Sequence, residues 1–257
     1  MSEIIIENTF YYYALISWIG LSIITFIFLI VSKPKTYGRH IRKDKFSINN
    51  RLGWFLMELP TVLLMPYFYF SNVTDYNLVV LFFITLYMIH YLNRVFIFPF
   101  RIKTKGKRMP LLVVFSAIVF NVCNTYLIGY YFGNLSPIYD ISWFCSPYFI
   151  IGFIVFLTGA YINNHSDTIL INLRKGSENE YKVPFGGLFK YVSCPNHFGE
   201  IIEWIGFSVL TCSLPVFAFA LWTIANLIPR AIQHHNWYHA KFKDYPKERK
   251  AILPYLV

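Results

Sequence analysis

Charge is scarce in this 257-residue chain: Asp, Glu, Lys and Arg make up only 14% of it, where a soluble domain carries about 25%. That deficit excludes an ordinary soluble fold. Cysteine is equally sparse. Cys123, Cys145, Cys194 and Cys212 form no CxxC and no metal-ligand spacing, so they read as buried or lipid-facing thiols. There is no GxGxxG, which excludes a Rossmann-type nucleotide domain, and no HExxH. The adjacent His234 and His235 would point about 100° apart on a regular helix and fail to reach one ion, so no metal is expected. No internal repeat or low-complexity tract is visible, and transporters often carry matched repeats. No basic residue and no small-residue cleavage site accompany the first apolar run, so it reads as a retained span rather than a signal peptide.

What the chain does contain is apolar and aromatic: 56% hydrophobic residues, 20% aromatic, mean hydropathy +0.46. A helix needs roughly 20 apolar residues to cross a bilayer. Runs near 11–31, 52–70, 78–100, 110–132 and 143–162 meet or approach this. The stretch 198–228 is interrupted at Ser213-Leu214-Pro215 and reads as two helices, 198–212 and 214–228, joined by a tight turn. The fold class is therefore an all-α integral membrane protein of seven transmembrane helices, forming a single domain over 1–257. Charge placement gives the orientation. Basic residues cluster at 33–51, 94–108, 174–190 and 230–250, while the alternate connections near 72–77, 133–142 and 212–215 contain no Lys or Arg. All 23 basic residues fall on one side, which the positive-inside rule makes cytoplasmic. The N-terminus is then outside and the C-terminus cytoplasmic. The net charge of +10 belongs to loops at a membrane surface. Membrane lipid is the expected partner, nucleic acid is not, and the chain is expected to act as a monomer.

Polar residues recur at helical spacing within three apolar segments. Asn163, Asp167 and Arg174 return to one helix face, as do Asn196, Glu200 and Glu203, and as do Asn226, Arg230, His234 and Tyr238. A charge at mid-bilayer costs at least ~2.5–3.5 kcal/mol, so such residues face a cavity or a partner. Three such faces point to one polar pocket. The bland alternative is a set of polar helix ends reaching into the headgroups, with the carboxylates solvated or paired to Arg230. The connection 163–196 holds Gly176, Pro184, Gly186, Gly187 and Pro195, which suits an ordered loop over a ligand.

Several runs carry a resemblance. They are the stretch Asn163-Asn164-His165-Ser166-Asp167, Gly186-Gly187-Leu188-Phe189, Asn196 to Gly206, Arg230 with His234, His235 and Tyr238, and Asp244-Tyr245-Pro246-Lys247 followed by Arg249-Lys250-Ala251. With Trp54 to Pro60 and His90-Tyr91-Leu92-Asn93-Arg94, the chain from about residue 51 resembles the steroid 5α-reductase family. A bacterial-type homologue is the expectation, in the bacterial inner membrane, or in the endoplasmic reticulum membrane if the source is eukaryotic. The resemblance implies NADPH-dependent reduction of the Δ4 double bond of a 3-oxo steroid. It implies Glu58 and Tyr91 at the substrate carbonyl, with Trp54 and Met57 against the substrate. It places Asn163, Asp167, Arg174, Tyr181, Asn196, Glu200, Arg230, His234 and Tyr238 around NADPH in a region of about 160–257, and adds Arg94 and Lys107. Met57 departs from the pattern, where many members carry Gln.

The residue types suit that chemistry. A hydride adds to the β-carbon of an enone while charge builds on the carbonyl oxygen. Hydrogen-bond donors aimed at such an oxygen are each worth roughly 2.7–4 kcal/mol. Tyr91 is a donor at neutral pH, and Glu58 donates when it carries its proton. The alternatives are reduction of another enone or enoyl lipid (an enoyl thioester or a polyprenal), membrane methyl transfer, and proton-coupled transport. Isoprenylcysteine methyltransferases share a similar C-terminal arrangement but usually show Arg-His-Pro-x-Tyr where this chain has Ser193 to Phe198.

Overall fold

The structure is a computed structural model that describes residues 2–32, 46–71, 73, 75–103, 106–173 and 182–255. Most of these are helical, and the chain divides into two compact units. Among the described residues, five helical segments are long and apolar enough to cross a membrane: Asn8–Ser32, Leu78–Arg101, Leu111–Leu135, Pro147–Leu173 and Leu214–Lys241. Their outer faces present Ile16, Ile24, Phe28, Leu112, Phe115 and Ile154 to the surroundings. Side chains of that kind belong against lipid, and this is an all-α membrane protein.

One unit comprises Met1–Tyr13 and Pro34–Cys145. Helix α1, Ser2–Ser32, contributes its first residues here, where the Tyr11 hydroxyl donates to the Leu127 carbonyl at 2.7 Å. Strand β1, Ser47–Asn49, leads into α2, Asn50–Phe70. Asn49 caps α2, its side-chain oxygen accepting from the amides of Arg51 and Leu52, as expected of Asn at a helix start. Asn77 does the same for α3, Leu78–Leu92, through the Val80 amide. Helix α3 then opens into a π-turn at Asn93–Ile97 before α4, Phe98–Arg101. Strand β2, Arg108–Pro110, pairs antiparallel with β1, and α5, Leu111–Tyr130, follows it directly.

Helices α2 and α5 run parallel, side by side. A Cβ on Gly53 would touch Met109 and Val114, one on Gly129 would meet Phe68 and Met65, and one on Gly133 would meet the Phe68 carbonyl oxygen at 3.1 Å. Small residues at both ends thus bring the two helices into close contact, which matters for the polar groups halfway along.

The other unit comprises Ala14–Lys33 and Ser146–Val257. Its centre is the antiparallel pair of α6, Pro147–Leu173, and α7, Pro195–Thr211. Gly152 and Gly159 on α6 meet Gly206 and Gly199 on α7. A Cβ at Gly152 would stand 2.7 Å from Leu210 Cα, and one at Gly206 would stand 2.8 Å from the Gly152 carbonyl oxygen. Four glycines, spaced by seven on each helix, leave room for backbone-to-backbone packing. Cys212 then adopts the left-handed conformation, with φ of 45°, and α8, Leu214–Lys241, begins with Pro215 in its first turn. The tight turn expected at 213–215 is present. Trp222 on α8 donates from Nε1 to the Trp18 carbonyl at 3.0 Å, tying α8 to α1.

Three boundaries differ most from the sequence expectation. Helix α1 begins at Ser2 rather than near 11. Helix α6 continues past 162 to Leu173, and α8 past 228 to Lys241. The polar connection expected at 163–196 therefore begins as helix. The reason is packing: Asn163, Ser166 and Asp167 are buried along α6, so a polar stripe continues the helix that an apolar stripe began.

Candidate active site

In the first unit, Glu58 stands midway along α2 on the side facing α5. The Asn121 amide nitrogen donates to the Met57 carbonyl at 2.6 Å and to Glu58 Oε2 at 3.2 Å. One helical turn beyond Asn121 lie Asn124 and Thr125, both almost wholly buried. The Thr125 hydroxyl is 3.4 Å from the hydroxyl of Tyr87 on α3. The rings of Tyr87 and Tyr91 have centroids 4.5 Å apart, and Tyr91 is 5% exposed. Glu58 and Tyr91, more than thirty positions apart in the chain, thus belong to one polar cluster inside an apolar unit.

The neighbouring expected residues fall on the same helices. Trp54 packs edge-on against Phe98 at 5.2 Å, and the Arg94 guanidinium lies over both rings, 5.0 Å from the Trp54 centroid and 4.5 Å from Phe98. Arg94 is therefore held by cation–π contacts. Met57 is buried against Met109 and Val114, its side chain in an apolar cluster. The backbone carbonyl of Lys107 accepts from the Asn50 amide at 3.2 Å, joining the β2 approach to the start of α2.

The polar α5 face was not among the expected site residues. Its signal is nevertheless in the chain: Asn121 and Asn124, three apart in an otherwise apolar run, lie on one helix face. Intramembrane amides of that sort need partners.

In the second unit, the glycine contact delivers another network. Because a Cβ on Gly199 would touch the Gly159 carbonyl oxygen at 2.8 Å, the start of α7 with Asn196 lies against the stretch of α6 that carries Asn163. Asn163 donates from Nδ2 to the Asn196 carbonyl at 3.0 Å and to Glu200 Oε2 at 3.4 Å. Asn196 in turn donates to Asp167 Oδ1 at 3.2 Å. Four of the expected residues therefore form one amide–carboxylate chain across α6 and α7. On α8, Arg230 donates to Asn226 Oδ1 one turn earlier at 3.5 Å. His234 lies 5.9 Å, ring to ring, from His197 on α7. Tyr238 is buried, its ring stacked parallel on Tyr245 at 5.1 Å. Arg174 and Tyr181 lie outside the described residues.

Ser193 ties the C-terminal segment to this unit. Its hydroxyl is 2.7 Å from both His235 Nδ1 and the Tyr245 hydroxyl, and the Ser193 and Cys194 amides donate to the Lys250 and Ala251 carbonyls. Arg249 is buried too, donating to the Pro184 carbonyl at 3.0 Å with its guanidinium over Phe185 and Tyr245.

Each unit thus holds a hydrogen-bonded cluster of polar side chains among apolar helices. The family model described as 3-oxo-5-alpha-steroid 4-dehydrogenase matches residues 107–257. The chain is 42% identical over 226 residues to 3-oxo-5-alpha-steroid 4-dehydrogenase 1 of Homo sapiens, covering 86% of this chain and 85% of the relative. It is 37% identical to steroid 5-alpha-reductase DET2 of Gossypium hirsutum over 97% of this chain and 98% of the relative. The corresponding DET2 protein of Arabidopsis thaliana is 38% identical over 99% of each. The chain belongs to the 3-oxo-5-alpha-steroid 4-dehydrogenase family, and it is an oxidoreductase acting on CH–CH bonds.

Proposed function

We propose that this protein reduces the Δ4 carbon–carbon double bond of a 3-oxo-Δ4 steroid with NADPH, giving the 5α-3-oxo product. The observation that carries the reading is geometric: Glu58 is held by Asn121, while Tyr91 packs on Tyr87, whose hydroxyl meets Thr125 one turn beyond Asn121 on the same helix. A buried phenol and a carboxylic acid are two donors for a carbonyl oxygen that becomes negative during reduction. Both are preorganised on packed helices, so little is lost in aligning them at the moment of reaction. As the carbonyl oxygen gains charge its hydrogen bonds to Tyr91 and Glu58 shorten and strengthen. The enolate then takes a proton from water at the α-carbon, and the carbonyl re-forms.

The second cluster fits the proposed cofactor chemically. The carboxylates of Asp167 and Glu200 accept from hydroxyls and amides, and Asn163 and Asn196 both donate and accept. That set matches ribose hydroxyls and a carboxamide. Arg230, His234 and Tyr238, with Arg174 and Tyr181, would hold the remaining polar and phosphate groups, and Arg94 and Lys107 are assigned there as well. NADPH, when bound, supplies the hydride for the β-carbon.

The reading extends to architecture. Helix α2 runs parallel with α5, and α7 antiparallel to α6, each beside a helix able to span the bilayer. That arrangement supports seven spans in a single reductase domain, acting as a monomer with its N-terminus outside and C-terminus cytoplasmic. The membrane is the bacterial inner membrane, or the endoplasmic reticulum membrane in a eukaryote. Met57, apolar where the resemblance expects Gln, favours keeping a second substrate class in view, namely other enone or enoyl lipids. Incubating purified protein with NADPH and a panel of Δ4-3-oxo steroids, enoyl thioesters and polyprenals, with products identified by mass, tests the assignment. Conversion of none of them refutes it.

A further inference from the structure

The hydrogen bonds of Asn121 fix more than a packing contact. Its amide atom nearest the Met57 backbone lies 2.6 Å from a carbonyl oxygen, and a carbonyl oxygen only accepts. That atom must therefore be the nitrogen, which removes the usual ambiguity between the two ends of an Asn side chain. A primary amide nitrogen carries two hydrogens and accepts nothing. With one hydrogen committed to Met57, the other points to Glu58 Oε2 at 3.2 Å. Oε2 then accepts, and because the carbonyl oxygen of a carboxylic acid is a better acceptor than its hydroxyl oxygen, a proton on Glu58 is favoured on Oε1.

We propose that Asn121 is a positioning residue for Glu58: it holds Oε2 as an acceptor and thereby fixes Oε1 as the oxygen that donates to the substrate carbonyl. This rests on the carbonyl-activation reading of Glu58 given above. Asn121 touches no reacting atom in this assignment. Its role is to select one of two carboxyl oxygens and one carboxyl rotamer. A carboxylic acid free to turn over would spend part of its time presenting a lone pair, rather than a hydrogen, to the enone oxygen. The anchor on α2 is main-chain, so it does not depend on the side chain at position 57. The same close packing of α2 on α5 that brings Gly129 against Met65 holds the anchor at hydrogen-bond distance.

The test is a double-mutant cycle in the full-length protein, purified and supplied with NADPH and whichever enone it reduces. Asn121→Leu, similar in volume but without a donor, is expected to lower kcat about tenfold, near the scale of one hydrogen bond to a catalytic group. The apparent KM for NADPH should stay within about twofold, since the loss falls on the transition state. In a Glu58→Ala background the same change should alter kcat by less than about twofold, because residues that act through one another are not additive. An equal loss in both backgrounds, or no loss beside intact Glu58, overturns the assignment. If Glu58→Ala itself keeps full turnover, the carbonyl-activation reading falls, and this inference with it. A second measurement needs no turnover. The infrared carbonyl band of protonated Glu58, identified by its disappearance in Glu58→Gln, should move to higher wavenumber in Asn121→Leu as the accepted hydrogen bond is lost. An unmoved band, or no such band in the unmodified protein, refutes the proton placement.

Discussion

Gly159 and Glu203 meet backbone to backbone: a Cβ on Gly159 would stand 2.6 Å from the Cα of Glu203, and as close to the Gly199 carbonyl oxygen. Nothing flexible is available to give way. Gly159→Ala must therefore push α6 and α7 apart, and overpacking of that kind costs about 1–3 kcal/mol. Gly20, on α1, has nothing within 4 Å of its notional Cβ. Gly20→Ala is expected to be neutral or stabilising by up to about 1 kcal/mol, the ordinary helix preference for Ala. Thermal unfolding of the two variants in the same detergent compares them. A Gly159→Ala protein as stable as Gly20→Ala would refute the close contact.

At the proposed carbonyl site, Glu58→Ala removes both the proton and the donor, and should lower kcat about 10²–10³-fold, the scale for one oxyanion donor. Glu58→Gln retains an N–H and should lose less. Tyr91→Phe deletes a hydroxyl without changing the ring, and should fall with Ala rather than Gln. Steady-state kinetics at saturating NADPH decide the order. Near-normal turnover in both Glu58→Ala and Tyr91→Phe would end the carbonyl-activation model.

For the cofactor, Asp167→Ala removes the acceptor for Asn196 Nδ2, and Arg230→Ala removes a cation from α8. Each should raise the apparent KM for NADPH by about tenfold or more, since a charge-assisted hydrogen bond is worth about 1.5–3 kcal/mol. Arg174→Ala should behave alike. Direct NADPH binding to the purified variants separates affinity from catalysis, and unchanged binding in all three would assign these residues to the bilayer interface instead.

Orientation gives a prediction independent of chemistry. If the 23 basic residues share one face, as their clustering in the sequence predicts, reporter fusions should report a cytoplasmic C-terminus and an N-terminus on the opposite face. Both ends on one face would exclude an odd number of spans.

The break between α7 and α8 was legible because Pro215 suits a first helical turn and nothing else nearby does. The caps at Asn49 and Asn77 are likewise local signals. The far ends of α6 and α8 were not legible by hydropathy, because there the buried face is polar. Asn163 and Asp167 are satisfied by Asn196 and Glu200 on another helix, and an apolar period says nothing of such a partner. The periodicity of those stripes, by contrast, pointed to four residues that the structure joins in one hydrogen-bonded network. Asn121 escaped notice too. It shares a helix face with Asn124 in an apolar run, but nothing in the sequence names its partner, and only the parallel pairing of α2 with α5 shows what it holds.

The π-turn at Asn93–Ile97 interrupts the register of the helix that carries Tyr91. Its wider winding accommodates one residue more than an α-helix would, and the surplus is absorbed between Leu92 and Phe98. Everything before it, including Tyr87 and Tyr91, keeps one set of facings, while everything after it is turned by about 100° relative to an unbroken helix. Arg94 reaches both Trp54 and Phe98 across that junction. The turn acts as a splice between two phases of one rod, so a chain shortened by a single residue between 95 and 97 would lose only the surplus, close into plain α-helix and leave Phe98 facing as it does now.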